Sequence, residues 1–285
     1  MRVGIKLDIG FDEHPDYRRL FGGAEICAFL RDRGVRAVES PVEPDTEAAR
    51  LAAHIRRCVE AGLRLSLHPY TEGTPFNPGL FHDDPENPCR RMHERFLQWA
   101  ADAAAQQAGR TIINIHSAGG SADARRADLV DRSIEFFRWA ADWCVRNAPA
   151  VRVVAELQIH DASGVMQRIG AQYDELLHVA CSAGVGICWD LGHAFMNARR
   201  FGWPLDPPPA FLPRVAHVHC HDVNEEDHEP LIHGNVPWQR QLADLADTGF
   251  DGTVILEVTP KRFLPAGGLP ALEQSLAALQ HWQRD

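Results

Sequence analysis

Three things are missing from this sequence, and each absence narrows the reading. It has no CxxC pair, and its seven cysteines (Cys27, Cys58, Cys89, Cys144, Cys181, Cys188 and Cys220) are odd in number and scattered. That excludes a disulfide framework and suits reduced thiols in the cytoplasm, with Cys144 and Cys181 read as small core residues. No apolar run approaches the ~20 residues of a membrane span. The opening MRVGIKLDIG reads as a strand without the long apolar core of a signal peptide. Positive charge is also short: 29 Lys and Arg stand against 39 Asp and Glu, a net charge of −10. No global field therefore draws the chain to nucleic acid or to an anionic membrane.

What is present is a series of apolar runs that each end on a polar side chain. His68 closes LRLSLH, His116 closes TIINIH and Glu156 closes VRVVAE. Asp190 closes VGICWD, His219 closes VAHVH and Glu257 closes GTVILE. Runs of this length, rich in Val, Ile and Leu, read as buried strands. A charged group at the end of a buried strand is costly unless a metal or partner neutralises it. Six such residues suggest one convergent site.

Strands are expected at 2–8, 35–39, 63–68, 111–116, 151–156, 185–190, 215–219 and 253–257. Helical stretches are expected at 23–33, 45–61, 88–108, 124–147, 169–183, 237–248 and 269–283. A short segment near 207–213 fills the sixth helical slot, because PLDPPP resists a long helix. Eight alternating units without a low-complexity linker predict an α/β fold, a single (β/α)8 TIM barrel spanning residues 1–285 as one domain. A doubly wound open sheet is the alternative, but it does not readily gather six strand ends onto one centre. Barrel sites form at the C-terminal strand ends, where all six residues fall. The long strand-to-helix segments 69–87, 157–168, 191–206 and 220–236 lie on that side, and the site is expected where 69–87 and 220–236 meet.

Two Glu, one Asp and one His suit a hard-to-borderline divalent cation such as Mn, Mg, Co or Zn. For any one of these residues the plain alternative is a buried ion pair or a helix cap. Trp189, next to Asp190, points the other way on its strand, toward the helices. His217 shares the phase of His219 and is read as a core-layer residue, and Asp222 as a group orienting His219. Tyr70, Phe76, Phe81, Phe195 and Trp203 lie in the long segments as pocket wall or packing. Glu39, at the end of the second strand, reads as a cap or an ion-pair partner. The adjacent pairs Arg90–Arg91, Arg125–Arg126 and Arg199–Arg200 read as solvated surface.

The segments CWDLGH (188–193), HVHCHD (217–222), DHEPLIHGNVPW (227–238) and GFDGTVILEV (249–258) together resemble the xylose-isomerase-like TIM-barrel superfamily. That superfamily holds sugar and sugar-phosphate isomerases and epimerases, and endonuclease-IV-type enzymes. The resemblance covers essentially the whole chain. It implies that Glu156, Asp190, His219 and Glu257 ligate a divalent metal, and that Glu156 and Glu257 are also the catalytic acid/base pair. It further implies that more than one ion per chain is compatible with the sequence. His68 and His116 would hold a second ion bridged by Glu156. A third would use His193 with Glu226 and His228, where the family has Asp-x-His. Alternatively His68, His116 and His193 bind substrate oxygens, as does His233, which stands where the family's loop carries an acidic residue.

The leading expectation is a divalent-metal-dependent isomerase or epimerase of a sugar, sugar acid or sugar phosphate, moving a proton through an enediolate held on the metal. Such a protein would be cytoplasmic, would act on a small carbohydrate apart from nucleic acid and membrane, and is compatible with a homo-oligomer. The alternative is an endonuclease-IV-like multi-metal phosphodiesterase of the AP endonuclease type. A barrel that only binds or assembles is the third.

Overall fold

In the computed structural model, which describes residues 1–282, eight parallel strands close into a barrel and two short strands form a separate antiparallel sheet. The strands are β1 (Arg2–Lys6), β2 (Ala37–Val42), β3 (Arg64–Pro69), β4 (Thr111–Ile115), β5 (Gly119–Ser121), β6 (Val151–Glu156), β7 (Met166–Arg168), β8 (Gly186–Asp190), β9 (Val215–Cys220) and β10 (Thr253–Leu256). Around the barrel the order is β1, β10, β9, β8, β6, β4, β3, β2, and β1 closes the ring by pairing with both β10 and β2. The pairing of β5 with β7 bridges the segments that follow β4 and β6. The fold is the expected single (β/α)8 barrel.

The helices are α1 (Pro15–Phe21), α2 (Ile26–Asp32), α3 (Ala48–Glu60), α4 (Pro88–Gln106), α5 (Arg126–Asn147), α6 (Tyr173–Ala183), α7 (Leu191–Phe201), α8 (Trp238–Asp247), α9 (Pro260–Phe263) and α10 (Leu269–Gln280). Their apolar stripes pack onto the outer face of the strands. Phe96 and Leu97 of α4 and Phe136, Phe137 and Ala140 of α5 are fully buried there. Burial of each large side chain stabilises the barrel by about 1.5–3 kcal/mol. Trp189 points outward as expected, with its Nε1 donating to the Tyr173 hydroxyl at 3.3 Å and its ring beside Phe211.

Three local expectations change. The helix expected at 23–33 is α2, and a further helix, α1, precedes it, parted from it by Gly22 and Gly23, with Gly22 ending α1 in the left-handed region. The sixth helix is not near 207–213, where a 3-10 turn covers Leu212–Arg214; it is α7, within the segment read as a loop at 191–206. Asp190 caps α7 at once, its Oδ1 accepting from the His193 N–H at 2.7 Å, and Gly202 ends it. The helix expected over 269–283 ends at Gln280, and residue 283 lies outside the described residues. Cys144 is buried as expected but Cys181 is exposed, and all seven cysteines are free.

Candidate metal centre

The site is assembled from the C-terminal ends of the strands around His219. This imidazole is fully buried on β9, and its two nitrogens face different neighbours. Nε2 lies 2.5 Å from Glu39 Oε1, a carboxylate on β2. Nδ1 lies 2.7 Å from Glu257 Oε2, 3.7 Å from Glu156 Oε2 and 3.7 Å from Asp190 Oδ2. Glu156 ends β6, Asp190 ends β8, and Glu257 follows β10 directly. The parallel register sets these side chains at one level, with Asp190 beside His219 across β8 and β9. Three carboxylates and one imidazole therefore converge as the sequence suggests.

Each carboxylate is held ionised. Burial alone would push Glu156 up, but His116, His219 and His68 outweigh it and hold the group at about 2. Glu257 and Asp190 are likewise buried against their ionisation and drawn well below the ordinary carboxylate range. His219, Lys6 and His228 do this for Glu257, and His193 and His221 for Asp190. His219 is raised in turn: burial opposes its charge, and Cys188, Glu257, Glu39 and Glu156 overcome that.

The donor set fits a divalent cation. Asp190 Oδ2, Glu257 Oε2 and His219 Nδ1 are buried without a hydrogen-bond partner. The 2.7 Å approach of Glu257 to His219 lacks the angle of a hydrogen bond. Orphaned buried acceptors of this kind are costly, and oxygen donors joined by one imidazole are the taste of such an ion. Glu39 supplies what a ligating imidazole needs at its far nitrogen, a carboxylate that fixes the ring and leaves Nδ1 free. Glu39 also takes His217 Nε2 at 2.7 Å, so the expected core histidine is tied to the centre through one buried carboxylate.

Two further groups flank the centre. His68 Nε2 lies 3.3 Å from Glu156 Oε2, and His116 Nε2 lies 3.4 Å from Glu156 Oε1. His68 donates from Nδ1 to the Asn114 carbonyl at 2.9 Å, and burial pushes its pKa down to about 4. Asn114 Nδ2 donates to the same Glu156 oxygen. On the other side, potential ligand atoms of Asp190, His193, His221 and His228 lie within 4.8 Å of one another. These imidazoles are already engaged. His221 Nδ1 accepts from the His228 N–H at 2.9 Å while its Nε2 faces Asp190 Oδ1 at 3.1 Å, and His193 Nδ1 lies 3.1 Å from the Leu157 carbonyl. His228 Nδ1 lies 3.2 Å from Asp227 and its Nε2 3.5 Å from Glu257 Oε2, and although burial opposes its charge, Glu257 and Asp227 raise it to about 10.

Glu226 is not brought into this group. It is largely exposed and pairs with Arg262, while its neighbour Asp227 meets His228. His233 faces Glu229 at 4.0 Å from the loop after β9. Asp222 does not orient His219. Its carboxylate accepts the backbone N–H groups of His233, Gly234, Asn235 and Val236, and so shapes that loop. Lys6 and Tyr70 complete the site: Lys6 Nζ lies 2.6 Å from the Tyr70 hydroxyl and 3.3 Å from Glu257 Oε1, and Tyr70 donates to the same oxygen at 3.3 Å. The segments after β3 and β9 thus meet at Glu257, as expected. Sequence reasoning passed over Lys6, although it ends β1 at the level where the other strands end.

A closed parallel barrel with ionised carboxylates and imidazoles at its C-terminal mouth places groups that could hold a metal ion where TIM barrels build their sites. The model of the xylose isomerase-like TIM barrel family matches residues 27–284, and the chain belongs to that family. Solved structures of the same fold include a D-psicose 3-epimerase from Clostridium cellulolyticum with D-tagatose (14% identity, TM-score 0.67, 99% of this chain and 98% of that one). A D-tagatose 3-epimerase-like protein matches at 16% identity with a TM-score of 0.66, over 99% of this chain and 97% of that one. An AP endonuclease, family 2, from Brucella melitensis matches at 16% identity with a TM-score of 0.64, over 99% of each chain. At these identities the likeness shows the fold alone. No curated protein matches the sequence.

Proposed function

We propose that this protein is a divalent-metal-dependent isomerase or epimerase of a sugar, sugar acid or sugar phosphate. The observation that carries the reading is where the unpartnered ligand atoms sit. Asp190 Oδ2, Glu257 Oε2 and His219 Nδ1 form one orphaned set from three neighbouring strand ends, whereas His221 and His193 are engaged through Nδ1, and of the flanking imidazoles only His116 leaves a buried nitrogen, Nδ1, unpartnered among the described residues. Glu156, Asp190, His219 and Glu257 would hold one cation. When bound, the ion supplies charge that polarises a substrate carbonyl and acidifies the neighbouring C–H.

The chain's own residues would then handle the proton. Glu156 and Glu257 are both ionised and buried, so either carboxylate can take the proton from the carbon beside the carbonyl and, protonated by that step, give the same proton back to the enediolate. Asn114, His68 and His116 fix the Glu156 carboxylate, and Lys6 and Tyr70 fix Glu257. His116 and His193 stand beside these groups as partners for substrate hydroxyls. The epimerases that share the fold support this choice of chemistry. The test is solvent deuterium exchange at the carbon beside the carbonyl, across a panel of ketoses, aldoses and their phosphates with Mn, Mg or Co supplied. Exchange into at least one substrate, abolished in Glu257→Gln, is the expected result; no exchange with any of them would sink the proposal.

One observation favours a second reading. His68, His116 and Glu156 form a potential ligand group of their own, beside the group of Asp190, His193, His221 and His228. Occupied together, these would make a multi-metal phosphodiesterase, the chemistry named for the Brucella neighbour. Metal content per chain separates the two: one ion supports isomerase chemistry, whereas two or three Zn with cleavage of abasic-site DNA support hydrolysis.

A further inference from the structure

The other pole of the barrel carries a feature that the proposed reaction does not use. Arg2 opens β1, Arg64 opens β3, Arg110 immediately precedes β4, and Arg152 is the second residue of β6. Strands that run parallel start at one end, so all four line a single cavity of about 450 Å³ at the N-terminal pole. That volume is in the range of small-molecule sites.

None of these four guanidinium groups makes an ion pair among the described residues. Elsewhere Arg33, Arg57, Arg126 and Arg168 each meet a carboxylate. Asp251 is the one carboxylate in the cavity wall. Burial and the neighbouring Arg2 depress the pKa of Arg64, and burial and Arg110 depress that of Arg152 against the pull of Asp251. Four like charges gathered about a single carboxylate repel one another, at a cost in free energy to the fold. A second observation lies deeper in the same cavity. His217 lines it, is fully buried, and leaves Nδ1 without a hydrogen-bond partner while Nε2 is bound to Glu39.

We infer that this cavity binds a small multivalent anion of the phosphate class, held by Arg2, Arg64, Arg110 and Arg152 at the end of the barrel remote from the metal centre. Planar guanidiniums take phosphate oxygens in pairs, and a concave site of this size suits a small molecule better than a nucleic-acid backbone. Free phosphate and a phosphorylated metabolite share the group that would be recognised.

The test is calorimetric titration of the protein as purified, at fixed ionic strength, with inorganic phosphate and separately with glycerol phosphate. One saturable site is expected, weakened roughly tenfold or more in Arg64→Gln/Arg152→Gln and unchanged in Glu257→Gln. Tighter binding of the ester assigns a metabolite, and equal or tighter binding of inorganic phosphate assigns the free ion. Absence of saturable binding, binding unaltered in the double variant, or binding lost in Glu257→Gln overturns the inference, the last because it would put the anion at the metal centre. DNA binding lost in the double variant, without phosphate binding, overturns it too. Without ligand the double variant is expected to melt no lower than the parent, since two of four like charges are gone; a lower melting temperature would make the arginines structural and also overturn it.

Discussion

At the C-terminal ends of its strands this barrel interleaves carboxylates and imidazoles, and at the N-terminal ends it gathers arginines that form no ion pair among the described residues. Both poles are built the same way, by parallel strands that present residues of like position at one level. They differ in how charge is answered. At the upper pole each of Glu156, Asp190 and Glu257 has cationic neighbours within the fold, and Asp190 Oδ2, Glu257 Oε2 and His219 Nδ1 are left without a hydrogen-bond partner among the described residues. At the lower pole the counter-charge is missing altogether apart from Asp251. On the proposed readings the first arrangement takes a cation and the second an anion. Glu39 joins them, with His219 on one oxygen and His217 on the other.

The comparison can be broken in several ways. The largest effect is expected from Glu257→Gln, which on the proposed reading removes a ligand and a proton-transfer group together. Activity should fall roughly 10³-fold and metal content with it, while circular dichroism stays that of the parent. Retained activity with normal metal would remove Glu257 from the centre. Next comes Glu39→Gln, which neutralises the carboxylate shared by both poles. Metal affinity measured by competition with a chelator should weaken about 10–100-fold, as for other partners behind a ligating imidazole. An unchanged affinity would show that His219 needs no orienting carboxylate.

Gly192→Ala sharpens the division within the upper pole. An added methyl would overlap the His221 ring, so the group of Asp190, His193, His221 and His228 must shift. Overpacking of this kind costs about 1–3 kcal/mol, read as a lower melting temperature. If one ion carries the chemistry, metal content stays at one per chain; loss of a second ion would favour the multi-metal reading.

The smallest effect is the dependence of stability on pH in metal-free protein, on the order of 1–2 kcal/mol per group. Burial depresses His54 and His93 from 6.5 to about 4, so the unfolded chain binds protons first and stability falls as pH drops from 6.5 toward 4. His228, raised to about 10, contributes fully below 6.5, and its share is lost as pH rises toward 10. The arginine pole stays charged throughout and should add no slope. Urea midpoints between pH 4 and 10 check both arms; a midpoint flat across that range would contradict them.

Much of this was legible beforehand, for identifiable reasons. Apolar runs ending on His68, His116, Glu156, Asp190, His219 and Glu257 gave both the strands and the level at which their last side chains lie. The cap role of Asp190 and its place in the centre were posed as alternatives, and the structure makes them compatible, because Oδ1 caps α7 and Oδ2 stays free. The sixth helix was missed because Gly192 and His193 after Asp190 look like loop, whereas the cap begins a helix at once. Glu226 drew notice by its spacing from His228, but its side chain turns to Arg262 and Asp227 takes the place beside the imidazole.

The sequence alone determined the alternation of strands and helices, and with it the barrel and the pole at which polar strand ends would collect, because periodicity and strand direction are local properties of the chain. The tertiary structure decided which atoms meet. Glu39 lies 178 residues from His217, and Lys6 lies 251 from Glu257. Their contacts depend on ring closure between β1 and β10 and on the register shift between Ile187 and Cys188 that seats Asp190 beside His219. The arginine pole is likewise invisible along the chain, since Arg2, Arg64, Arg110 and Arg152 become neighbours only when four strand starts are drawn to one end of a closed sheet.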